Sequence, residues 1–216
     1  RLAVDVLTKH GFEFDFVDTR FLDKIEKKIK TNTRWVFLET PTNPLLELCD
    51  INKVSTLCKK HNIKLAVDNT FMSPYGQSPL NLGADIIMHS ATKYIGGHSD
   101  LIAGVLITNN DSIAEQLYFI QKSAGAVLSP FDSWLLLRST KTLGIRVQKQ
   151  SDNAIELAQR LSEHSKISSV IYPGLESHDQ FKLASIQQLN PKGNPIYGSM
   201  ISLRLGSVEK RDHFLS

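Results

Sequence analysis

A-D-I-I-M-H-S-A-T-K-Y-I-G-G-H-S-D, from Ala84 to Asp100, is the stretch around which the chain is organised. Asp85 to His89 reads as a short buried strand, because Ile86, Ile87 and Met88 form an apolar run too brief for a helix. The strand empties into Ser90-Ala91-Thr92-Lys93 and then a glycine pair, Gly96-Gly97. One lysine therefore sits just past a strand end, with hydroxyls three and one residues before it. In an open α/β sheet, ligands bind outside the carboxyl ends of the strands. A lysine held there is partly desolvated, which favours its neutral, nucleophilic form and suits it to a Schiff base. The flanking hydroxyls suit an anionic group such as a phosphate, and the glycines let backbone approach a ligand closely.

A second apolar strand, Ile63 to Val67, ends in Asp68-Asn69-Thr70. Two strand ends thus carry one carboxylate and, 25 residues further on, one lysine. Pyridoxal phosphate needs that pair: an amine to hold its aldehyde and an acid to keep its ring nitrogen protonated.

The remaining pattern supplies the frame. Leu2 to His10 reads as a helix stopped by Gly11, and Phe12 to Val17 alternates with a period of two, as a strand does. Asp18 or Thr19 is placed to cap a helix from Phe21 to Lys30, with Phe21, Leu22, Ile25 and Ile29 on one side. Trp35 to Leu38 is a buried strand, Asp50 caps a helix from Ile51 to Lys60, and Asn62 closes it. Strand and helix in this rhythm argue for a largely parallel sheet with crossover helices. Met72 to Pro79 is too rich in Pro, Gly and Ser to be regular. Further on, Gly104 to Ile107 reads as a strand and Asp111 caps a helix to about Ser123. Ser129-Pro130 opens a helix through Leu137, and a longer helical pattern spans Lys141 to His164. Ile167 to Tyr172 reads as a strand, Ser177 to Leu189 as a helix and Met200 to Leu205 as a strand.

Composition excludes several function classes. The hydrophobic fraction of 41% and charged fraction of 22% are those of an ordinary globular protein. The net charge of +3 is spread along the chain, and its densest cluster, Lys24 to Lys30, alternates with apolar positions as the wet face of a helix. No basic stripe with interleaved aromatics points to nucleic acid. No apolar run reaches membrane-span length, and no signal peptide opens the sequence. Cys49 and Cys58 match no zinc spacing and read as structural thiols of a reducing compartment, so the expected location is cytoplasmic and the expected metal content none.

The motifs E-T-P-T-N-P (Glu39 to Pro44), A-V-D-N-T-F (Ala66 to Phe71) and S-A-T-K-Y-I-G-G-H-S-D (Ser90 to Asp100) resemble the Cys/Met-metabolism family of pyridoxal-phosphate enzymes. That family includes cystathionine γ-lyase, β-lyase and γ-synthase and methionine γ-lyase. S-P-F-D-S-W-L-L-L-R-S-T-K-T-L (Ser129 to Leu143) and Y-P-G-L (Tyr172 to Leu175) extend the likeness, in order, over nearly the whole chain. The resemblance implies an α/β, fold-type I, PLP-dependent transferase-like architecture: a mostly parallel sheet flanked by helices, then the start of a smaller α/β C-terminal domain. Residues 1–140 would belong to the large cofactor-binding domain, and 141–216 to the long connecting helix and the first part of the small domain.

It also implies roles. Lys93 would hold the cofactor and shuttle the Cα proton, where an arbitrary lysine is usually a solvated surface group. Asp68 would pair with the ring nitrogen, where a lone strand-end Asp is often only a cap. Ser90 and Thr92 would donate to the cofactor phosphate, against the local turn bonds such residues usually make. Asn43, made extended by Pro44, would lie near the cofactor ring and the substrate carboxylate, with a turn asparagine as the competing reading. Arg1 matches in place a family arginine near the substrate, and a helix-surface arginine is its competitor. His89 and His98 carry no assigned chemistry. The chain reads as an internal piece of a longer polypeptide: the phosphate-gripping Tyr and Arg of a neighbouring subunit, the ring-stacking Tyr and the glycine-rich phosphate turn are expected upstream of Arg1. The arginine for the substrate carboxylate is expected downstream of Ser216.

The implied activity is that of a pyridoxal-phosphate enzyme of sulfur amino-acid metabolism, foremost a cystathionine lyase working by γ- or β-elimination. γ-Replacement of the cystathionine γ-synthase or O-acylhomoserine sulfhydrylase type, and methionine γ-lysis, are the alternatives. The implied partners are a small sulfur amino acid and further copies of the same chain, as a dimer of dimers. A nucleotide-binding α/β module is the non-enzyme rival. It predicts a G-x-G-x-x-G turn opening a helix, which Gly96-Gly97 does not supply.

Overall fold

Four short apolar runs build the sheet that positions the site. In a computed structural model that describes residues 2–216, β1 (Trp35–Glu39), β2 (Lys64–Asp68), β3 (Ile86–Ser90) and β4 (Gly104–Ile107) lie side by side in that order. β1 pairs with β2 and β2 with β3 in parallel, and β4 closes the edge antiparallel to β3. The expected largely parallel α/β sheet is present.

Alternation along the strands separates two faces. Val36 and Leu38 from β1 and Leu65 and Val67 from β2 pack against α1 (Leu22–Lys28) and α2 (Ile51–Lys60) through Ile25, Ile51, Val54, Leu57 and Cys58. Asp50 caps α2 as expected, its carboxylate accepting from the Lys53 N–H at 3.0 Å, and Asn62 closes it with φ +55°. The register puts Glu39 beside Asp68, Asp68 beside Met88 and Met88 beside Leu106, so these share the other face with Trp35 and Phe37. Trp35, Phe37 and Leu106 are exposed there.

The second half is threaded on one long helix. α3 (Ser73–Gly76) is a single turn, α4 runs from Asp111 to Ala124, α5 from Pro130 to Thr140 and α6 from Leu143 to Ser162. The first half of α6 buries Leu143 and Val147 against Met72, Ile196, Tyr75 and Tyr94. Its second half buries Ala154 and Ala158 against Tyr172 and Leu175. A two-stranded antiparallel sheet, β5 (Ser169–Ile171) with β6 (Ser202–Arg204), and the helices α7 (Phe181–Gln187) and α8 (Val208–Leu215) complete the chain.

Several local expectations are corrected. Phe12 to Val17 forms no strand: among the described residues no sheet edge pairs with it, and Phe12, Phe14 and Phe16 stand exposed. Alternation without a partner edge leaves the backbone groups no ladder to join. Leu2 to His10 divides into a π-helical turn and a 3-10 turn, and Gly11 ends it with φ +83°. Asp18 and Thr19 do not cap α1, because the Asp18 carboxylate is taken by a two-pronged bond from Arg20 at 2.9 and 2.7 Å. The Arg20 guanidinium holds the Asp18 carboxyl at about 2. Asn110 rather than Asp111 caps α4, accepting from the Ile113 N–H at 3.0 Å. Met72 to Pro79 is not wholly irregular: it contains the single turn α3, and a 3-10 turn, Pro79–Leu82, starts at its last residue.

Candidate active site

Three neighbouring strand ends converge. The parallel register puts the carboxyl ends of β1, β2 and β3 on one edge of the sheet, with Asn43 in the turn after β1, Asp68 ending β2, and Ser90 to Lys93 following β3. Asp68 and Ser90 also share a face, because Asp68 registers with Met88 and side chains alternate.

Hydrogen bonds join these ends. The Asp68 carboxylate accepts from the Thr70 N–H at 3.0 Å, an Asx turn made by the D-N-T triplet. The Thr70 hydroxyl in turn accepts from the Ser90 N–H at 2.8 Å, and the Ser90 carbonyl accepts from the Lys93 N–H at 3.1 Å. Thr70 is therefore the link between the carboxylate and the lysine loop. The residue reading missed it, although a side-chain oxygen two residues after a strand-end Asp is the signal that marks such a bridge.

The site residues differ in how they stand. Lys93 is solvent-exposed rather than desolvated, because Ala91, Ile95 and Gly96 take the buried positions of its loop. Thr92 is engaged with Ala103: its hydroxyl accepts from that residue's N–H at 3.0 Å and donates to its carbonyl at 3.3 Å. A hydroxyl has one proton, so in this arrangement the Thr92 proton is directed at backbone while no such partner occupies the Ser90 hydroxyl among the described residues. Asn43 is exposed, in a turn closed by the Leu46 N–H donating to the Thr42 carbonyl at 2.9 Å. The Ser202 hydroxyl donates to the Pro44 carbonyl, which ties that turn to β6. Arg1 lies outside the described residues.

Electrostatics reinforce the strand-end edge. Local desolvation at the strand end, then the negative charge of Asp68, pushes the Glu39 carboxyl above the usual range, while the Asn43 backbone N–H opposes that rise. His89 lies on the opposite sheet face, 1% exposed, and burial pushes its ring below the ordinary value against the pull of Asp68 and the Asn69 backbone. His98 donates from Nδ1 to the Gly96 carbonyl, 2.8 Å away, within the same loop. Among the described residues no cluster of His, Cys, Asp and Glu could hold a metal ion.

The donor set fits a pyridoxal-phosphate-like group: a carboxylate for a protonated ring nitrogen, a Ser90 hydroxyl for phosphate, and an amine within one turn of it for an aldehyde. Comparison with known proteins leads to the same chemistry. A family model described as Cys/Met metabolism PLP-dependent enzyme matches residues 1–216. A protein of Herpetosiphon aurantiacus named as a probable cystathionine gamma-synthase is 48% identical over 217 residues, covering 100% of this chain and 66% of that protein. The cystathionine gamma-lyase of Bacillus subtilis is 45% identical over 215 residues, covering 100% of this chain and 55% of that enzyme. The crystal structure of cystathionine gamma-lyase from Lactobacillus plantarum, complexed with L-serine, superposes with a TM-score of 0.90 at 40% identity, over 95% of this chain and 52% of that one. The chain thus shares that α/β fold and spans roughly half to two thirds of the length of the relatives it matches.

Proposed function

This chain belongs to the Cys/Met metabolism PLP-dependent enzyme family, and from that premise we propose that the protein is an enzyme of sulfur amino-acid metabolism that eliminates across a carbon–sulfur bond of cystathionine. The observation that carries the reading is the hydrogen-bonded run Asp68–Thr70–Ser90–Lys93 on adjacent strand ends. When bound, pyridoxal phosphate supplies an electron sink beside the substrate Cα.

The chain's own residues then divide the work. The Lys93 amine anchors the cofactor and, once displaced, takes and returns the proton at the substrate Cα. The Asp68 carboxylate, oriented by the Thr70 amide, would face a protonated ring nitrogen. The Ser90 hydroxyl donates to the phosphate, and Thr92 holds the lysine loop to Ala103 or turns its proton to the phosphate. Asn43 faces the substrate from the β1 turn, and Arg1 is a further candidate for the substrate side. Residues 1–140 would form the large domain and 141–216 the long helix with the start of the small one. The exposed apolar side chains Tyr118, Phe119, Phe131, Trp134 and Leu137 support assembly into a homo-oligomer, a dimer of dimers. The free, buried Cys49 and Cys58 support a reducing, cytoplasmic setting. Among the described residues no helix is long and apolar enough to cross a membrane.

γ-Replacement is the second reading, favoured by the gamma-synthase name of the Herpetosiphon relative. The test is to incubate the full-length protein and pyridoxal phosphate with cystathionine, and separately with an O-acylhomoserine plus cysteine. Release of a thiol amino acid and a 2-oxo acid from cystathionine is the expected result. Cystathionine formed from the acylhomoserine, with no thiol release, would replace the lyase by the synthase. Inactivity in both assays would overturn the proposal.

A further inference from the structure

The lysine loop leaves β3 and must hold one conformation if Lys93 is to face Asp68 and Ser90. Its own amides do part of this: the Gly96 N–H donates to the Ala91 carbonyl at 2.7 Å, and the Gly97 N–H to the Lys93 carbonyl at 2.7 Å. The Tyr94 and Ile95 carbonyls, in the turn's outer half, are met instead by a side chain from α6. Arg146 donates from Nη1 to the Tyr94 carbonyl at 2.9 Å and makes a longer contact of 3.5 Å from Nη2 to the Ile95 carbonyl.

The same guanidinium is anchored on its other side. Nη2 donates to the Ser139 carbonyl near the end of α5 at 3.0 Å, and Nε to the Thr142 hydroxyl at 3.1 Å. Among the described residues Arg146 forms no ion pair with a carboxylate, so its planar fork is spent on neutral oxygens of two segments. Gly97 records the fit independently. A Cβ at Gly97 would fall 2.0 Å from Arg146 Nη1 and 2.5 Å from Cζ, and its φ of +73° already favours glycine. The half-buried guanidinium thus occupies the space that a side chain at Gly97 would need.

We propose that Arg146 is a positioning residue for Lys93: it clamps the Tyr94–Gly97 turn to the α5–α6 junction and thereby fixes the lysine at the strand end. The proposal rests on the reading of Lys93 as the cofactor anchor. A lysine at 146 reaches one carbonyl with a point charge and cannot bridge both segments, so the conservative exchange is expected to restore the clamp only in part.

The experiment compares wild type with Arg146→Met, Arg146→Lys and Gly97→Ala in the full-length protein. Amide hydrogen exchange is read without cofactor, and the apparent affinity for pyridoxal phosphate is read by borohydride trapping with peptide mapping. Loss of charge-assisted bonds at Tyr94 and Ile95 predicts about tenfold faster exchange at Gly96 and Gly97 in Arg146→Met, and about tenfold weaker trapping on Lys93. Exchange in β2 and α2 is expected to be unchanged, and Arg146→Lys to fall between. Gly97→Ala displaces the arginine and also strains a backbone held at φ +73°, so it should exchange at least as fast as Arg146→Met, and Arg146→Lys, which keeps the charge and loses the fork, decides the matter if Arg146→Met does not fold. Wild-type exchange at Gly96 and Gly97 in the folded variants, with unaltered trapping, would overturn the clamp. Wild type that traps no pyridoxyl group on Lys93 would overturn the cofactor reading instead, while the exchange data still decide the clamp.

Discussion

Asp68 and Thr70 divide the hydrogen bonding of the candidate site between them. The Asp68 carboxylate takes the Thr70 amide on one oxygen and leaves its other side open to a cationic partner on the sheet face it shares with Ser90. Asp68→Asn keeps the size and removes the charge, so turnover is expected to fall about 10²- to 10³-fold, the scale of losing one preorganised electrostatic contact. Steady-state kinetics check this, and an unchanged kcat would mean the carboxylate has no part in the chemistry. Thr70 is tested separately through its hydroxyl. Thr70→Val strands the Ser90 N–H that now donates at 2.8 Å, an expected cost of about 1–3 kcal/mol in unfolding free energy, whereas Thr70→Ser restores the acceptor. Denaturant titration of the three proteins distinguishes the missing oxygen from the missing methyl.

Among the elements, α2 and the strands it covers bury both thiols. Burial pushes the Cys49 thiol up to about 12, and its Sγ–H donating to the Thr19 carbonyl at 3.0 Å favours the same protonated form, while burial pushes the Cys58 thiol up to about 11. Neither is a thiolate at neutral pH. Both are therefore expected to ignore a disulfide reagent in the folded protein and to react on unfolding. Fast native labelling of either would show that α2 opens readily. The same elements mark where the sequence is readable. β1, β2, β3 and the Asp50 cap follow from apolar runs bounded by polar residues, because each sets its own local geometry. Phe12 to Val17 has equal alternation and no strand, since pairing depends on an edge that local pattern does not encode. The gathering of Lys93, Asp68 and Ser90 at neighbouring strand ends was legible because each follows an apolar run within a family motif. Thr70, Arg146 and the exposure of Lys93 were not, because they depend on side chains that meet across 20 to 52 residues or on which loop positions turn inward.

On the scale of the whole molecule, α6 joins the sheet that carries the site to the two-stranded sheet, and a buried amide network runs alongside it. Gln77 donates to Asn69 at 2.8 Å and to the Thr40 carbonyl at 3.2 Å, and Gln187 of α7 donates to Gln77 at 3.1 Å. The site's strand ends are thus fastened to the C-terminal half through neutral groups, and pH acts mainly elsewhere. His89, behind the site, has its ring held below its ordinary value of 6.5 by burial. A lowered value in the folded state means that the unfolded chain takes the proton more readily. Stability is thus present in full above about pH 6.5 and is lost as pH falls towards and through the lowered value. Acidification should lower Tm in wild type by about 2–4 °C for each kcal/mol lost, and less steeply in His89→Asn. Parallel curves would exclude His89 as a source. Whether Lys93 carries the cofactor is decided by borohydride reduction of the full-length protein with pyridoxal phosphate, followed by peptide mapping. The expected result is a visible absorbance band that reduction abolishes and a pyridoxyl group on the peptide containing Lys93. A label on another lysine, or no band with the cofactor in excess, would contradict it.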